Sequence, residues 1–488
     1  MSDARKLSNL RRKSKPRVKR PFNAAHPDFS PRAEFLARQL ARSEWVFEMA
    51  ELLPGKPQGS TGRPRDNPEV LTAWHWCTLG AFKSQRDAAS WIRDPDNWAW
   101  LQAEWAPRGI ILNDTPPARK TLQNALRRLR PLVEALLERF RELALAQALR
   151  QECFTGTAES ATRSIPRGNC VIGDGTVPKA RMKPETAKRL AAIPNLRDSR
   201  GNRISISEYK MYTQGDNTKV GGQKFFFSAV RAGNDVNDRI ILDVRHCPGG
   251  KGGDEASVGT ASLLDLRARC PQMHAVVYDG GVRGLHISQM MRAGLTVIAP
   301  PGEAHAEARQ FGKEPLKCPC PARSHTLYTQ DGWLCTEEIL DTGKSHIVRL
   351  DGQYTTNKNT GNGVYRPYLE VTLPCGNTYK FRLDNTEEAE ALGLNVAERI
   401  RQFPPGTSTY ERMYRFRPDI ESGNNTLDLT HYRGRIIADK AIDQHLILIA
   451  FAIARNVLSE AVHRARIAAA PPPQTAPPQA PPPQAKAA

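Results

Sequence analysis

The chain contains no apolar run long enough to cross a bilayer. Its longest, "LILIAFAIA" at 446–454, has nine residues, whereas a membrane span needs about 20. This run predicts one buried helix. The N-terminus also lacks the apolar stretch of a secretory signal. These absences predict a protein that does not enter a membrane and that lies in the cytoplasm.

Acidic residues are too few to balance the basic ones, with 51 Asp and Glu against 70 Lys and Arg and a formal net charge of +19. A surplus of this size predicts attraction to polyanions, of which nucleic acid is the commonest. An anionic membrane surface is the rival partner, but no basic amphipathic helix stands out. The nine cysteines are odd in number and scattered, which favours reduced thiols over a disulfide framework.

Several familiar motifs are missing. "CPGGKGGDEAS" is rich in Gly and Lys but lacks the spacing of a phosphate-binding loop, so it is interpreted as the loop before a helix. No Ser-His-Asp arrangement can be proposed from residue order. In the second half of the chain, some residues could bind a structural zinc, but their spacing matches no common zinc pattern and free structural thiols are favoured. These residues are Cys318, Cys320, Cys335 and Cys375, with His325 nearby.

The two ends are of low complexity. Residues 4–20 contain nine Lys or Arg, so 1–34 is predicted to be a basic disordered tail that can add non-specific phosphate contacts. Residues 468–488 are rich in Pro and are predicted to be a second disordered tail.

Residues 35–150 are predicted to form an all-helical domain. Apolar residues recur at helical spacing, Ser84 can cap one helix, and Thr115 followed by proline can cap another. On that last helix Leu122, Ala125 and Leu129 share one side. Lys120, Arg127 and Arg128 lie away from it. A DNA-binding module and a plain helical bundle with a solvated basic face are both compatible with this pattern.

From about residue 165 the pattern changes to strands and helices in the order β-β-β-α-β-α-β, which indicates an α/β domain over 165–301. "VIGDGT" and "VVYDGG" each place an Asp and then a Gly after an apolar strand, at Asp174 and Asp279. Such pairs are often ordinary turns. In a mixed sheet, however, strand ends bring such acids side by side, and converging carboxylates suit Mg²⁺.

Short alternating strands broken by Gly and Asn predict a β-rich insertion over 302–405. Residues 406–467 then return to helix, beginning with "ERMYRFRPDIESGNNTL". That window combines Tyr414, Arg417 and Glu421. If it is one helix, Arg417 and Glu421 are separated by four residues and share a face.

Taken together, these features resemble the DDE transposases of bacterial insertion sequences, in the subgroup with a β-strand insertion before the final glutamate. The signature Y-x2-R-x3-E-x6-K is matched in its first three elements by Tyr414, Arg417 and Glu421, and "YDGGVRG" and "GGQKFFF" also resemble family segments. The resemblance covers about 60–465. It implies an RNase H-like catalytic core that is interrupted by the insertion.

The resemblance further implies Asp174, Asp279 and Glu421 as a catalytic triad that binds two Mg²⁺ ions, with Mn²⁺ able to substitute. It implies phosphate contacts from Tyr414 and Arg417, and cut-and-paste transposition on double-stranded DNA, namely the terminal inverted repeats and the target. A homodimer in the DNA complex and a nucleoid-associated bacterial location follow from it. A nuclease of the same fold, or a catalytically silent transposase-derived DNA-binding protein, are the alternatives.

One position departs from the signature. The family lysine corresponds to Asp428, and a carboxylate cannot hold a phosphate. One DNA contact is therefore absent or is supplied by another residue, for which Arg433 and Arg435 are the nearby candidates.

Overall fold

Five strands form the central sheet of the computed structural model. They are β1 (Cys170–Thr176), β4 (Lys224–Val230), β5 (Ile240–Cys247), β6 (Ala275–Val277) and β7 (Thr296–Ile298). Their order in the sheet is β5-β4-β1-β6-β7. β4 runs antiparallel to both β1 and β5, whereas β6 and β7 run parallel to β1. The fold is therefore mixed α/β, as the sequence predicts.

The structure describes residues 31–54, 68–82, 84–155, 165–198, 201, 203–213, 217–339, 344–359, 361, 363–387, 395–430 and 434–469. The predicted basic tail lies outside these residues up to position 30, and a helix begins at Pro31 within its last four positions. The predicted Pro-rich tail lies outside them from position 470, because the last helix continues to Ala469.

Two helices supply the crossovers between the parallel strands. Helix α9 (Glu255–Arg269) connects β5 to β6, and α10 (Gly284–Arg292) connects β6 to β7. The predicted order β-β-β-α-β-α-β is thus confirmed for the sheet. The polar segment after β1 adds α8 (Pro184–Ala191) and the hairpin of β2 (Lys210–Thr213) and β3 (Lys219–Gly222).

The N-terminal part is helical, as predicted. Its helices are α1 (Pro31–Arg42), α2 (Glu44–Glu51), α3 (Pro68–Thr78), α4 (Gln85–Ile92), α5 (Pro95–Trp105), α6 (Arg119–Arg127) and α7 (Val133–Arg150). Ser84 caps α4 through the Asp87 N–H, as expected. The predicted cap at Thr115 is wrong, because α6 begins only at Arg119. Proline disfavours helical backbone angles at the residue before it. The Pro116–Pro117 pair therefore delays the start of the helix.

These helices share one core with the sheet. Trp76 donates its indole N–H to the Leu446 carbonyl (2.8 Å), and Gln147 donates to the Asn456 carbonyl (2.8 Å). Both acceptors lie on the long C-terminal helix α14 (Ala441–Ala469). The helix α7 also packs on β5. The N-terminal helices are therefore anchored to the α/β part through α14.

The β-rich insertion is present where the sequence predicts it. A four-stranded sheet contains β8 (Arg309–Gln310), β11 (Leu327–Gln330), β12 (Trp333–Ile339) and β13 (Ser345–Arg349). A three-stranded sheet contains β14 (Gly352–Lys358), β15 (Tyr365–Thr372) and β16 (Thr378–Arg382). A short hairpin pairs β9 (Leu316–Lys317) with β10 (Ser324–His325).

The last part of the chain is helical, but its first helix is divided. After α11 (Val396–Arg399), helix α12 (Ser408–Tyr414) ends at Tyr414 and α13 (Pro418–Thr430) begins at Pro418. The single helix predicted for this window is wrong at 415–417, where the chain forms a turn. Proline lacks the N–H that a continuous helix would use, but it is well suited to a first turn.

The helix α14 is the one helix among the described residues that is long and apolar enough to span a membrane by length and composition. Of its most apolar 18-residue window, 83% is buried inside the protein. The run "LILIAFAIA" lies within this buried part, as predicted. Its neighbours include α1, α3, α7 and β5.

Gly80, which follows α3, lies against the backbone of α14. A Cβ at this position would lie 2.6 Å from the Phe451 Cα and would also collide with the Ala450 backbone. We expect Gly80→Ala to lower the free energy of unfolding by about 3 kcal/mol, because two backbones must move apart. Denaturant titration measures this change. Gly302→Ala, where the nearest atoms lie at 3.4 Å or beyond, is the control, and equal stability of the two variants would contradict the close packing.

Candidate active site

Asp174 and Asp279 lie side by side because of the register between β1 and β6. These parallel neighbours pair Ile172 with Val277. Each aspartate follows its paired residue by two positions, and side chains two apart point to the same face of a sheet. The two carboxylates therefore leave the sheet at the same edge and on the same side. The Asp279 carboxylate also accepts the Gly281 N–H at 2.8 Å, which fixes its orientation.

Glu255 is the third acid at this edge. Carboxylate oxygens of Asp174, Glu255 and Asp279 all lie within 4.8 Å of one another. Glu255 is in the first turn of α9, where Asp254 caps the helix. Glu255 is a site residue that the sequence pattern did not predict, because its segment was interpreted only as the loop before a helix. The position of Glu255 in the chain could have indicated its role. The helix that it begins connects the third strand of the sheet to the fourth and must therefore cross the sheet.

Gly175 makes room for the Glu255 carboxylate. A Cβ on Gly175 would lie 2.6 Å from Glu255 Oε1 and closer still to the other carboxylate atoms. The glycine after Asp174 therefore leaves space for the third acid in its observed position. Lys224 Nζ (2.6 Å) and the Tyr278 hydroxyl (3.2 Å) also contact Glu255 and hold its side chain over β1.

The crowding of these acids changes the protonation of Asp174. Burial, followed by the negative charges of Asp279 and Glu255, raises the pKa of Asp174 to about 7. The nearby Arg417 guanidinium opposes this rise in pKa. Three carboxylates with an oxygen-only donor set are thus held together with incomplete charge compensation. That donor set suits a hard divalent cation such as Mg²⁺.

The turn between α12 and α13 brings Tyr414, Arg417 and Glu421 together beside the acids. Arg417 Nη1 lies 2.9 Å from Glu421 Oε1, and its guanidinium carbon lies 6.0 Å from the centre of the Tyr414 ring. The charges of Asp174 and Asp279 also contribute to the raised pKa of Arg417. Arg417 is therefore paired with Glu421 and is near enough to the two aspartates for their charges to affect it.

Glu421 is not one of the three acids that converge. Its side chain is 47% exposed and pairs with Arg417, four residues before it. The residue of α13 that reaches Asp174 is Asn424, whose side-chain N–H donates to Asp174 Oδ2 at 2.8 Å. Asn424 follows Glu421 by three residues, so both lie on neighbouring positions of one helix face. The assignment of Glu421 as the third metal ligand stays a prediction.

A buried ion cluster fixes the start of α13. Asp419 accepts two hydrogen bonds from Arg231, at 2.6 and 3.1 Å, and Arg167 Nη2 lies 2.6 Å from the same carboxylate. Asp419 and Arg231 are both buried. Arg239 adds a 2.8 Å hydrogen bond to Ser422. Since Arg231 directly follows β4, this cluster ties α13 to the sheet and orients its next turn towards Asp174.

The remaining residues predicted to contact DNA lie elsewhere. Lys120, Arg127 and Arg128 are exposed on or directly after α6, which packs on α3 and α4. The acids instead lie among β1, β6, α9 and α13. The structure thus brings Tyr414 and Arg417 to the acids but not the basic residues of α6.

Asp428 lies one turn of α13 beyond Asn424. Burial raises its pKa, and the positive charge of Lys179 opposes this shift. Of the two arginines considered as replacements for the family lysine, Arg433 lies outside the described residues and Arg435 donates to the Ala180 carbonyl at 2.8 Å. Lys179 is exposed and is a further cation near this position.

Comparison with models of known protein families gives no match to this chain, and comparison with curated proteins gives none either.

Replacing Asp174 by Asn should stabilise the metal-free protein in a pH-dependent way. Below about pH 4 the carboxyl is neutral in both states, so the two proteins should differ little. As pH rises from about 4 to 7, the unfolded wild type ionises while folded Asp174 stays protonated. Wild-type stability then falls relative to Asp174→Asn, and the difference should level off above pH 7 at about 2–4 kcal/mol.

Denaturant titration with a chelator present measures this difference at each pH. Saturating Mg²⁺ should reverse it above pH 7, because only the wild type retains the full set of carboxylates. A stability difference that stays constant from pH 4 to 8 would contradict the crowding of the three acids.

Asp419→Asn should cost about 3–5 kcal/mol of unfolding free energy, because it leaves two arginine charges near the sheet without their carboxylate. The matched control is Glu44→Gln, which removes an exposed ion pair with Arg108. The side chains of Glu44 and Arg108 are 72% and 40% exposed, so the loss should be under about 1 kcal/mol of unfolding free energy. Chemical denaturation of both variants makes the comparison. A similar small loss in both would show that the cluster does not anchor α13.

Proposed function

We propose that this protein is a DDE transposase, a metal-dependent enzyme that cleaves the ends of an insertion sequence and joins the 3′ ends to target DNA. The observation that carries the proposal is the convergence of Asp174 and Asp279 at the ends of neighbouring parallel strands. An RNase H-like core is part of the proposal. The sheet order β5-β4-β1-β6-β7, with only β4 reversed, and the β-rich insertion before α12 support it.

The donor set fits Mg²⁺. Asp174, Glu255 and Asp279 offer only carboxylate oxygens, already within 4.8 Å of one another. We propose that Asp174 and Asp279 hold the ions, that Glu255 adds a carboxylate, and that Glu421 is the triad acid from α13. Bound Mg²⁺ would supply activation of a water or 3′-hydroxyl and stabilisation of the leaving oxygen of a phosphodiester. Mn²⁺ prefers similar ligands and should substitute.

Arg417 and Tyr414 are proposed to hold the DNA backbone at the cleavage point. A guanidinium offers a planar fork of donors that matches phosphate geometry. Arg417 is already close enough to Asp174 to affect its pKa, so a phosphate bound to it would lie next to the acids. Its present partner Glu421 would then be released from the ion pair.

Basic residues outside the acid cluster are proposed to bind the flanking duplex. Lys120, Arg127 and Arg128 form an exposed group on or next to α6, and the chain carries a formal net charge of +19. Phosphate contacts of this kind position a duplex without reading its sequence. The proposed partners are the terminal inverted repeats and target DNA. Two element ends imply a homodimer in the assembled complex, within the bacterial cytoplasm at the nucleoid.

Strand cleavage of labelled DNA carrying the inverted repeats that flank the gene tests this proposal, with Mg²⁺ or Mn²⁺ present. Asp174→Asn and Asp279→Asn should each lower the cleavage rate by at least about 1,000-fold, because each removes a carboxylate that supports the transition state. Glu421→Gln and Glu255→Gln should each lower it by more than about 10-fold. The exposed Glu185→Gln is the control and should cleave normally.

Each outcome has a definite meaning. Normal cleavage by Asp279→Asn would refute the acid assignment. Normal cleavage by Glu421→Gln, with loss in Glu255→Gln, would transfer the role of third acid to Glu255. Cleavage without joining of 3′ ends to a target plasmid would identify a nuclease of the same fold. Salt-sensitive DNA binding with no cleavage in any metal would identify a silent DNA-binding protein.

A further inference from the structure

Three cysteines and one histidine of the β-rich insertion converge at a single point. Ligand atoms of Cys318, Cys320, His325 and Cys375 all lie within 4.8 Å of one another. Residues 318 and 375 are 57 positions apart in the chain, so only the folded insertion brings them together. Cys335, the other thiol of the insertion, does not belong to this group of four residues. It is buried on β12, with its Sγ 3.9 Å from the Trp333 carbonyl.

His325 is the last residue of β10, and Cys318 and Cys320 lie in the turn of the β9–β10 hairpin. Its backbone is closed by hydrogen bonds from the Cys318 N–H to the Arg323 carbonyl (2.9 Å) and from the Arg323 N–H to the Cys320 carbonyl (2.9 Å). Arg323 has a φ of +58°, a left-handed conformation that a residue with a side chain rarely adopts. Such local strain persists where surrounding interactions demand it. Here the turn directs Cys318, Cys320 and His325 to one side.

The fourth residue comes from another hairpin. Cys375 lies in the turn between β15 and β16, which is closed by the Leu373 N–H to the Asn377 carbonyl (2.9 Å). Gly376 supplies the positive φ of +84° that this turn requires. The Tyr379 hydroxyl then donates to the Lys317 carbonyl at 3.0 Å and joins the two hairpins.

The sulfur atoms are spaced for a shared ion and not for a disulfide. Cys318 Sγ and Cys375 Sγ are 3.6 Å apart, and Cys320 Sγ is 3.3 Å from His325 Nε2. A disulfide would require about 2.05 Å between sulfurs. Ligands placed about 2.3 Å (S) and 2.0 Å (N) from a tetrahedral Zn²⁺ are separated by roughly 3.5–3.8 Å. The observed separations are close to these values.

Asn377 gives the thiols a second layer of contacts. Its side-chain N–H group lies 3.2 Å from Cys318 Sγ and 3.5 Å from Cys375 Sγ. Donors aimed at ligand sulfurs are typical of the outer shell of metal sites, where they orient the ligands. Cys335 Sγ instead lies near the Trp333 carbonyl, outside this group.

We propose that the insertion holds one structural Zn²⁺ through Cys318, Cys320, His325 and Cys375. Four protein ligands close the coordination sphere, which is the arrangement of structural and not catalytic zinc. The thiols bind as thiolates and release their protons to solvent, while His325 binds as neutral imidazole. The ion ties the β9–β10 hairpin to the β15–β16 hairpin. Its soft sulfur ligands also separate it chemically from the oxygen-only site at Asp174.

The metal content of the purified full-length protein tests this proposal. After expression with zinc and removal of loosely bound metal, elemental analysis should find about one zinc per chain. Cys318→Ser and Cys375→Ser should reduce the zinc content at least about 10-fold. The matched control Cys335→Ser removes a buried thiol from the same insertion and should retain the zinc. Asp174→Asn/Asp279→Asn should retain it too, whether or not the protein cleaves DNA.

Two further measurements guard against simple misfolding of the variants. Cys375→His replaces one zinc ligand by another and should restore zinc binding that Cys375→Ser loses. Replacement of zinc by Co²⁺ should give the intense visible absorption of a tetrahedral thiolate site in wild type and Cys335→Ser. Absence of zinc from the wild type after reconstitution, or full retention by Cys375→Ser, would overturn the proposal.

Discussion

Electrostatic repulsion among Asp174, Glu255 and Asp279 is the constraint on which the rest of the site depends. Carboxylates with oxygens within 4.8 Å of one another cannot all ionise cheaply at a partly buried strand end, and the raised pKa of Asp174 reflects this cost. The neighbouring residues reduce the cost. Lys224 pairs with Glu255, Asn424 donates to Asp174, and Arg417 lies close by. A fold that maintains such crowding is suited to recruit divalent cations.

The surrounding structure serves to hold that arrangement rigid. The β1–β6 register fixes the two aspartates, and Gly175 admits the third acid over the strand. Asp419, buried between Arg231 and Arg167, fixes the start of α13, so Asn424 and Arg417 approach from a defined direction. The long helix α14 then connects the sheet to the N-terminal helices through Trp76, Gln147 and Gly80. The proposed metal-assisted phosphoryl chemistry requires such precise positioning of charged groups.

The two proposed metal sites differ in their ligand atoms and in the elements that carry them. The acid cluster is built from oxygen donors on strand ends and a helix N-terminus. The thiol cluster is built from sulfur and nitrogen donors on two hairpin turns, with all four positions supplied by protein. Small sheets such as β14–β16 bury little apolar surface, so a cross-link between hairpins stabilises what a core of this size cannot.

The sequence by itself determined the mixed α/β class, the order of strands and helices, the β-rich insertion and the pairing of Asp174 with Asp279. These features depend on local periodicity and on acids placed directly after apolar strands. Only the tertiary structure decided which groups meet from distant segments. Glu255 joins the aspartates, Asn424 reaches Asp174, and Cys318 meets Cys375 across 57 positions. Local patterns predict an element and its faces, but contacts between hairpin turns or from a helix end to a strand depend on how whole elements pack.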